Sequence, residues 1–212
     1  MCAKIGRKRE ASRVKIVIAM DSFKGSMTSM EAGNAAKEGI LKVRPNAEII
    51  VKPLADGGEG TMEALADGLG GEIISAYVSD PLGRSTVANY AEVIAENGEK
   101  TAVIEMAQAA GLTLLAEEER DPYKTTTYGV GELICDAIDR GCRNFLIGIG
   151  GSATNDGGMG MLMALGYCFE DENGAEICAV RDLGKIKRIC DCNVRKELKE
   201  CTFRVALWEA GW

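Results

Sequence analysis

The chain has 212 residues, 46% hydrophobic and 27% charged, enough to bury a sizeable core in one large domain or two small ones. Its formal charge of -7 argues against nonspecific nucleic-acid binding, which needs a basic face, and no stretch approaches the ~18 apolar residues of a membrane span. There is no histidine, which excludes Ser-His-Asp and Cys-His hydrolases and His-ligated metals; proton transfer falls to a carboxylate, Lys, Tyr, Cys or water.

Residues 1–13, MCAKIGRKREASR, are basic and read as a disordered extension or an upstream start. The apolar run Val14 to Met20 is too short for a secretory h-region and reads as a strand buried on both faces. The loop DSFKGS follows. Thr28 and Glu31 then form a capping-box pattern that opens a helix ending before Pro45. A second strand is expected over Ala47 to Leu54, then the loop ADGGEGT and a helix stopped by Gly70-Gly71. Strand, loop and helix, twice over, predict a parallel α/β sheet. From about residue 75 the pattern becomes mixed. Residues 73–79 and 86–94 read as strands, and Asn97-Gly98 as a hairpin turn before the strand Thr101 to Met106. Val130, Leu133, Ile134, Ala137 and Ile138 form a helical stripe, closed by Gly141. A strand over Asn144 to Ile149, a glycine-rich loop and a helix from Met159 come next, and Asn173-Gly174 marks another hairpin. The expected fold class is α/β, with a parallel-sheet domain over 14–74 and a mixed domain over 75–212.

Eight cysteines, Cys2, Cys135, Cys142, Cys168, Cys178, Cys190, Cys192 and Cys201, include no C-x-x-C pair and read as free thiols of a reducing, cytoplasmic protein.

Three loops carry the candidate chemistry. Each follows an apolar strand and precedes a helix, where open α/β sheets bind ligands. In the loop 150–158, Gly150, Gly151, Ser152, Thr154, Asn155 and Gly157 are placed to cradle a phosphate or carboxylate with backbone N–H groups and hydroxyls. Asp156 is the first candidate for a catalytic base, and the alternative for the whole loop is a tight turn required by packing. The first loop offers Asp21, a second candidate base, and Lys24, a cation suited to phosphate. In the second, Asp56 and Glu59 are candidate Mg²⁺ ligands among Gly58, Gly60 and Thr61, though acidic residues also suit a helix start. No Walker A sequence or protein-kinase set is present. Gly148, Gly150 and Ala153 also match a dinucleotide fingerprint, with Glu170 further on, so an NAD(P)-dependent oxidoreductase is the alternative reading. Thr125, Thr126 and Thr127 are placed to cap the striped helix or to reach a ligand, and Arg84 sits on a turn.

The stretches IAMDSFKGS, KPLADGGEGT, TTYGVGELI and GIGGSATNDGG resemble the signatures of the bacterial-type glycerate kinase family, in order from Val14 to Ala206. The resemblance implies ATP-dependent, Mg²⁺-assisted phosphorylation of D-glycerate and favours 2-phosphoglycerate as product. It implies a flavodoxin-like domain, completed by carboxy-terminal sequence, beside a second mixed α/β domain. Members of the family are longer, and the tail Leu207 to Trp212, which holds both tryptophans, departs from their pattern. The first domain is therefore expected to be incomplete. Apolar surface around Ile16, Ile18, Ile49 and Val51 would stay uncovered and favour self-association, with little activity from this chain alone.

Overall fold

The structure is a computed structural model that describes residues 14–21, 23, 26–54 and 60–206; of Thr61 only the backbone is described. The chain divides into two compact units, with the boundary after Leu54.

In the first unit, strands β1 (Lys15–Met20) and β2 (Glu48–Pro53) pair in parallel, Lys15 opposite Glu48 and Met20 opposite Pro53. Helix α1 (Ser29–Val43) crosses between them. Its start is the capping box expected from the sequence: Glu31 N donates to Thr28 Oγ1 at 3.2 Å, and Thr28 N to Glu31 Oε2 at 2.8 Å. Ser29 ties the carboxyl ends of both strands to this helix. Its hydroxyl donates to the Met20 carbonyl and accepts from Leu54 N at 3.2 Å. A Cβ on Gly33 would lie 2.4 Å from Val51 Cγ1, so the helix touches the sheet where it has no side chain. Ile18 and Val51 are register partners on the face that α1 covers, with Ile16 and Ile49 beside them. Ile18 is 8% exposed. The expectation that this group stays uncovered is corrected in part, since Ile16, Ile49 and Val51 are half-buried beside Ile18; strand alternation turns Val17, 59% exposed, to the other face.

In the second unit, helix α2 (Thr61–Leu69) precedes strands β3 (Glu72–Ser79), β4 (Ser85–Ile94) and β5 (Lys100–Glu105). Short helix α3 (Ala107–Ala110) and helix α4 (Tyr128–Asp139) lead to β6 (Asn144–Gly148) and helix α5 (Met159–Ala164). A hairpin of β7 (Cys168–Glu170) and β8 (Arg188–Cys190) precedes β9 (Thr202–Ala206). The sheet order is β3-β4-β5-β6-β9; β3, β4 and β5 are antiparallel neighbours, whereas β5, β6 and β9 run parallel.

The striped helix forms as expected. Val130, Leu133, Ile134, Ala137 and Ile138 are all buried against one sheet face, each side chain contributing about 1.5–3 kcal/mol on burial for the larger residues. Beneath them Tyr90 is fully buried, and its hydroxyl donates to Asp136 Oδ2 at 2.7 Å. On the opposite face, Met62 and Ala66 of α2 pack on Ala91, Val93 and Val103. That packing is why the unit boundary falls after Leu54 rather than after residue 74. α2 buries its apolar side on the five-stranded sheet, a long-range contact that local periodicity does not specify. Gly70, at φ +70°, closes α2 as its position suggested. Gly98 and Gly174 take φ of +83° and +80° in the two expected turns.

Candidate active site

Parallel strands β5, β6 and β9 end at one edge, and the loop 150–158 leaves from the middle strand, β6. It is pinned to the segment around α3. Met106 N donates to the Gly148 carbonyl at 2.8 Å, Leu112 N to Gly151 O at 3.0 Å, and Ala153 N to Ala110 O at 2.8 Å. Gly151 has φ +72°, and a Cβ there would lie 3.2 Å from the Ala107 Cβ, so both backbone and space ask for glycine. Gly157 has φ +60° with open space around it. Ser152 and Thr154 share a hydroxyl–hydroxyl bond of 2.8 Å. Among the described residues, the N–H groups of Gly151, Ser152, Asn155 and Gly157 have no protein acceptor. Backbone donors clustered at a strand-to-helix turn are chemically suited to an anion.

Asp156 is engaged within the protein. It is 1% exposed, and its oxygens accept from four groups at close range. Oδ2 accepts from Thr127 N and Thr127 Oγ1, both at 2.8 Å, and from Gly160 N at 3.1 Å; Oδ1 accepts from Gly158 N at 2.9 Å. Thr126 Oγ1 stands further off, at 3.5 Å. A carboxylate so engaged holds a loop in place. The three threonines before α4 are the other half of this clamp. Thr125 Oγ1 donates to Ala153 O at 2.8 Å, and Thr127 Oγ1 also accepts from Met161 N at 2.9 Å. The N-cap residue Thr127 makes no side-chain cap, while Thr126 Oγ1 accepts from Tyr128 N, the first N–H of α4, at 3.2 Å. The capping expectation therefore holds for Thr126, whereas the hydroxyls of Thr125 and Thr127 reach the glycine loop.

Three further glycines make the clamp possible. A Cβ on Gly160 would fall 2.0 Å from Thr126 Oγ1, on Gly131 2.4 Å from the Met161 carbonyl, and on Gly129 1.9 Å from the Ser79 carbonyl. Sequence reasoning passed over Gly129, Gly131 and Gly160, whose helical setting gives no turn signal.

It also passed over Glu105. This residue ends β5 opposite Gly148, is buried, and accepts from Met62 N at 2.8 Å in the first turn of α2. A carboxylate there suits the positive end of the helix. It brings the end of the second candidate loop, Gly60, Thr61 and Met62, to the edge that carries the glycine-rich loop. Asp56, Gly58 and Glu59 lie outside the described residues, as does Lys24. Asp21 is exposed at the end of β1, in the first unit.

Arg84 is more than an exposed turn residue. Its Nε donates to Asp80 Oδ2 at 2.5 Å and its Nη1 to Glu119 Oε1 at 2.7 Å. Burial alone would raise the Asp80 carboxyl. Hydrogen bonds from the Arg84 backbone and guanidinium and from Leu82 N outweigh it and hold Asp80 below the usual carboxylate range.

The dinucleotide alternative finds no support in this geometry. In that fingerprint the helix opens within the glycine motif. Here Ala153 is tied to Ala110, and α5 begins only at Met159.

Fold and site together define an α/β protein with a glycine-rich loop at the carboxyl edge of parallel strands. The model of the glycerate kinase family matches residues 16–207. The chain belongs to the glycerate kinase family. It is 46% identical over 181 residues to a glycerate kinase of Halalkalibacterium halodurans, covering 85% of this chain and 46% of that protein. It is 45% identical over 194 residues to glycerate 2-kinase of Escherichia coli K12, covering 91% of this chain and 50% of the relative. A crystal structure of "putative glycerate kinase 2" from Salmonella typhimurium LT2 superposes with a TM-score of 0.76 at 42% identity, over 91% of this chain and 51% of that one. The chain spans about half the length of the curated relatives it matches.

Proposed function

We propose that this chain carries the phosphate-binding part of an ATP-dependent glycerate kinase, which moves the γ-phosphate of ATP to a hydroxyl of D-glycerate. The observation that carries this reading is the set of unpaired N–H groups in the loop 150–158, in a chain that belongs to the glycerate kinase family. In the reaction a glycerate hydroxyl oxygen attacks the γ-phosphorus, the bond to the β-phosphate oxygen breaks, and ADP leaves. The proton of the attacking hydroxyl passes to a base. Catalysis of this kind is mostly positioning and charge stabilisation.

Gly150, Gly151, Ser152, Thr154, Asn155 and Gly157 supply donors to phosphate oxygens. Asp156 is a positioning residue, because its oxygens are already engaged. Asp21, at the end of β1 in the first unit, is the second candidate base that the sequence offers, and Lys24 is a cation suited to phosphate. Mg²⁺, when bound with ATP, neutralises phosphate charge. Asp56 and Glu59 would hold it, a donor set that fits an ion which takes one or two carboxylates together with substrate phosphates. Gly58, Gly60 and Thr61 would let the backbone approach. The relative from Escherichia coli, a glycerate 2-kinase, favours 2-phosphoglycerate as product. Free thiols and a formal charge of -7 suit a cytoplasmic protein that engages neither nucleic acid nor membrane. Among the described residues no helix is long and apolar enough to cross a membrane.

Phosphorus NMR of a reaction with ATP, Mg²⁺ and D-glycerate tests this reading. The chain lengthened with the carboxy-terminal half of the Escherichia coli relative should give ADP and a 2-phosphoglycerate resonance. A 3-phosphoglycerate resonance would correct the product, and no phosphoglycerate from a folded, lengthened chain would overturn the reading.

A further inference from the structure

Cys168, Cys178, Cys190 and Cys192 lie in or next to the β7–β8 hairpin. The two strands pair antiparallel, with Cys168 opposite Cys190, Phe169 opposite Ile189 and Glu170 opposite Arg188. Register partners share one face of a sheet. Two contacts place Cys190 on the face of Glu170: Arg188 Nε donates to Glu170 Oε2 at 2.8 Å, and the Cys190 thiol hydrogen-bonds the same carboxylate. Phe169 turns the other way, 4% exposed, and packs with Ile177 on Met159, the first residue of α5. Cys168 and Cys190 are both free and half-buried, which leaves them within reach of a small molecule. Opposite residues of an antiparallel pair have Cα atoms about 4.5–5.5 Å apart, inside the roughly 4.4–6.8 Å that a disulfide spans. Among the described residues no group of three or more Cys, Asp and Glu is placed to hold a metal ion, which leaves the pair the chemistry of a dithiol.

We propose that Cys168 and Cys190 form a modification site, which low-molecular-weight disulfides oxidise to a cross-strand disulfide. One protein thiolate attacks the small disulfide, and a mixed disulfide forms as one small thiol leaves. The other protein thiolate attacks that protein sulfur and expels the second small thiol. Two protein thiols are oxidised, one small disulfide is reduced to two thiols, and the two protons pass from the protein to the released thiols. Whichever cysteine attacks first, Cys190 acts once as a nucleophile. Burial, then the hydrogen bond and charge of Glu170, hold its thiol above the ordinary value, so the exchange is slow at neutral pH. In a reducing compartment the pair stays open, and it closes where disulfides accumulate. The ring so closed contains Ile177 and the turn Val180–Lys185. It fastens the hairpin that packs on Met159, directly after the loop 150–158. The site does not depend on the kinase reading.

Oxidation of the intact, folded chain with glutathione disulfide tests it. Remaining thiols are blocked with N-ethylmaleimide and the unreduced chain is cut with endoproteinase Asp-N. Cleavage before Asp156, Asp171, Asp182 and Asp191 puts Cys168, Cys178, Cys190 and Cys192 on four different peptides. Mass spectrometry should find the Cys168 and Cys190 peptides joined as the main cross-link, lost on treatment with dithiothreitol. The variant Cys178→Ser/Cys192→Ser should form the same cross-link to the same extent, since neither residue supplies a sulfur to it. In guanidinium chloride, where the strand register is gone, the preference for Cys168–Cys190 should disappear. Four results would each overturn the assignment. They are a main cross-link of Cys168 to Cys178 or of Cys190 to Cys192, a glutathione adduct on either hairpin cysteine that its partner never displaces, two unreacted hairpin thiols beside a modified Cys192, and an unchanged pattern in guanidinium.

Discussion

Asp156 separates two roles that a sequence cannot tell apart. An aspartate in a glycine-rich loop is a natural base, and only its burial and partners show that it clamps the loop to Thr127 and α5. Asp156→Asn keeps the shape but presents an NH₂ to a backbone N–H. Leaving such a donor unsatisfied costs about 1–3 kcal/mol. Thermal unfolding should therefore show a lowered Tm, together with weakened nucleotide binding. A variant with unchanged Tm that loses kcat by about 100-fold or more would restore the base role. Gly157 is the better probe of the phosphate cradle. Gly151→Val would combine a positive φ with contact at Ala107, whereas Gly157 has open space and would cost only the left-handed strain of about 1–2 kcal/mol. Gly157→Ala should weaken ADP binding several-fold more than its stability loss explains, measured by titration beside calorimetry. Unchanged affinity would return the loop to a packing role. The glycines and the Asp were visible in the sequence as one strand-to-helix loop, which the structure has between β6 and α5. Their partition into donors and clamp was not, because Thr127 and Asp156 meet only through tertiary packing.

At the level of elements, the helical stripe of α4 and the capping box of α1 were legible because both depend on residues three or four apart. The placement of α2 was not, since nothing local says which sheet Met62 and Ala66 will meet. The contact between α4 and α5 is equally non-local. Gly131→Ala would drive a Cβ to 2.4 Å from the Met161 carbonyl. Backbone there cannot yield as a flexible side chain would, and overpacking of this kind costs about 1–3 kcal/mol. A Tm within error of wild type would show that the helices separate freely. The turn between β3 and β4 carries a pH signature. Asp80 has a lowered pKa in the folded chain, so its stabilisation is in place above the ordinary carboxylate value and is lost as pH falls through the lowered one. The Tm difference between wild type and Arg84→Ala should hold steady from about pH 5 to 8 and narrow below about pH 4. A difference independent of pH would remove Asp80 from the explanation.

Across the whole molecule, family membership was legible in four stretches of the sequence, and the family model matches residues 16–207. The covered face of the first sheet was misread. Alternation put Ile18 and Val51 under α1 and left Val17 outward, a choice of side that strand periodicity alone leaves open. Exposed apolar side chains on a two-stranded sheet are an association liability. Light scattering should find this chain self-associated, and Val17→Thr should shift it toward monomer; a monodisperse wild-type monomer would contradict that reading. The central claim is tested most directly by D-glycerate-dependent ADP release from the chain lengthened to family length, wild type beside Gly157→Ala. The wild type should release ADP only when D-glycerate is present, and the variant should lose at least about ten-fold in kcat/KM, equivalent to about 1.4 kcal/mol of transition-state stabilisation. A folded, lengthened wild type that releases no ADP, or a Gly157→Ala variant as fast as wild type, would contradict the account.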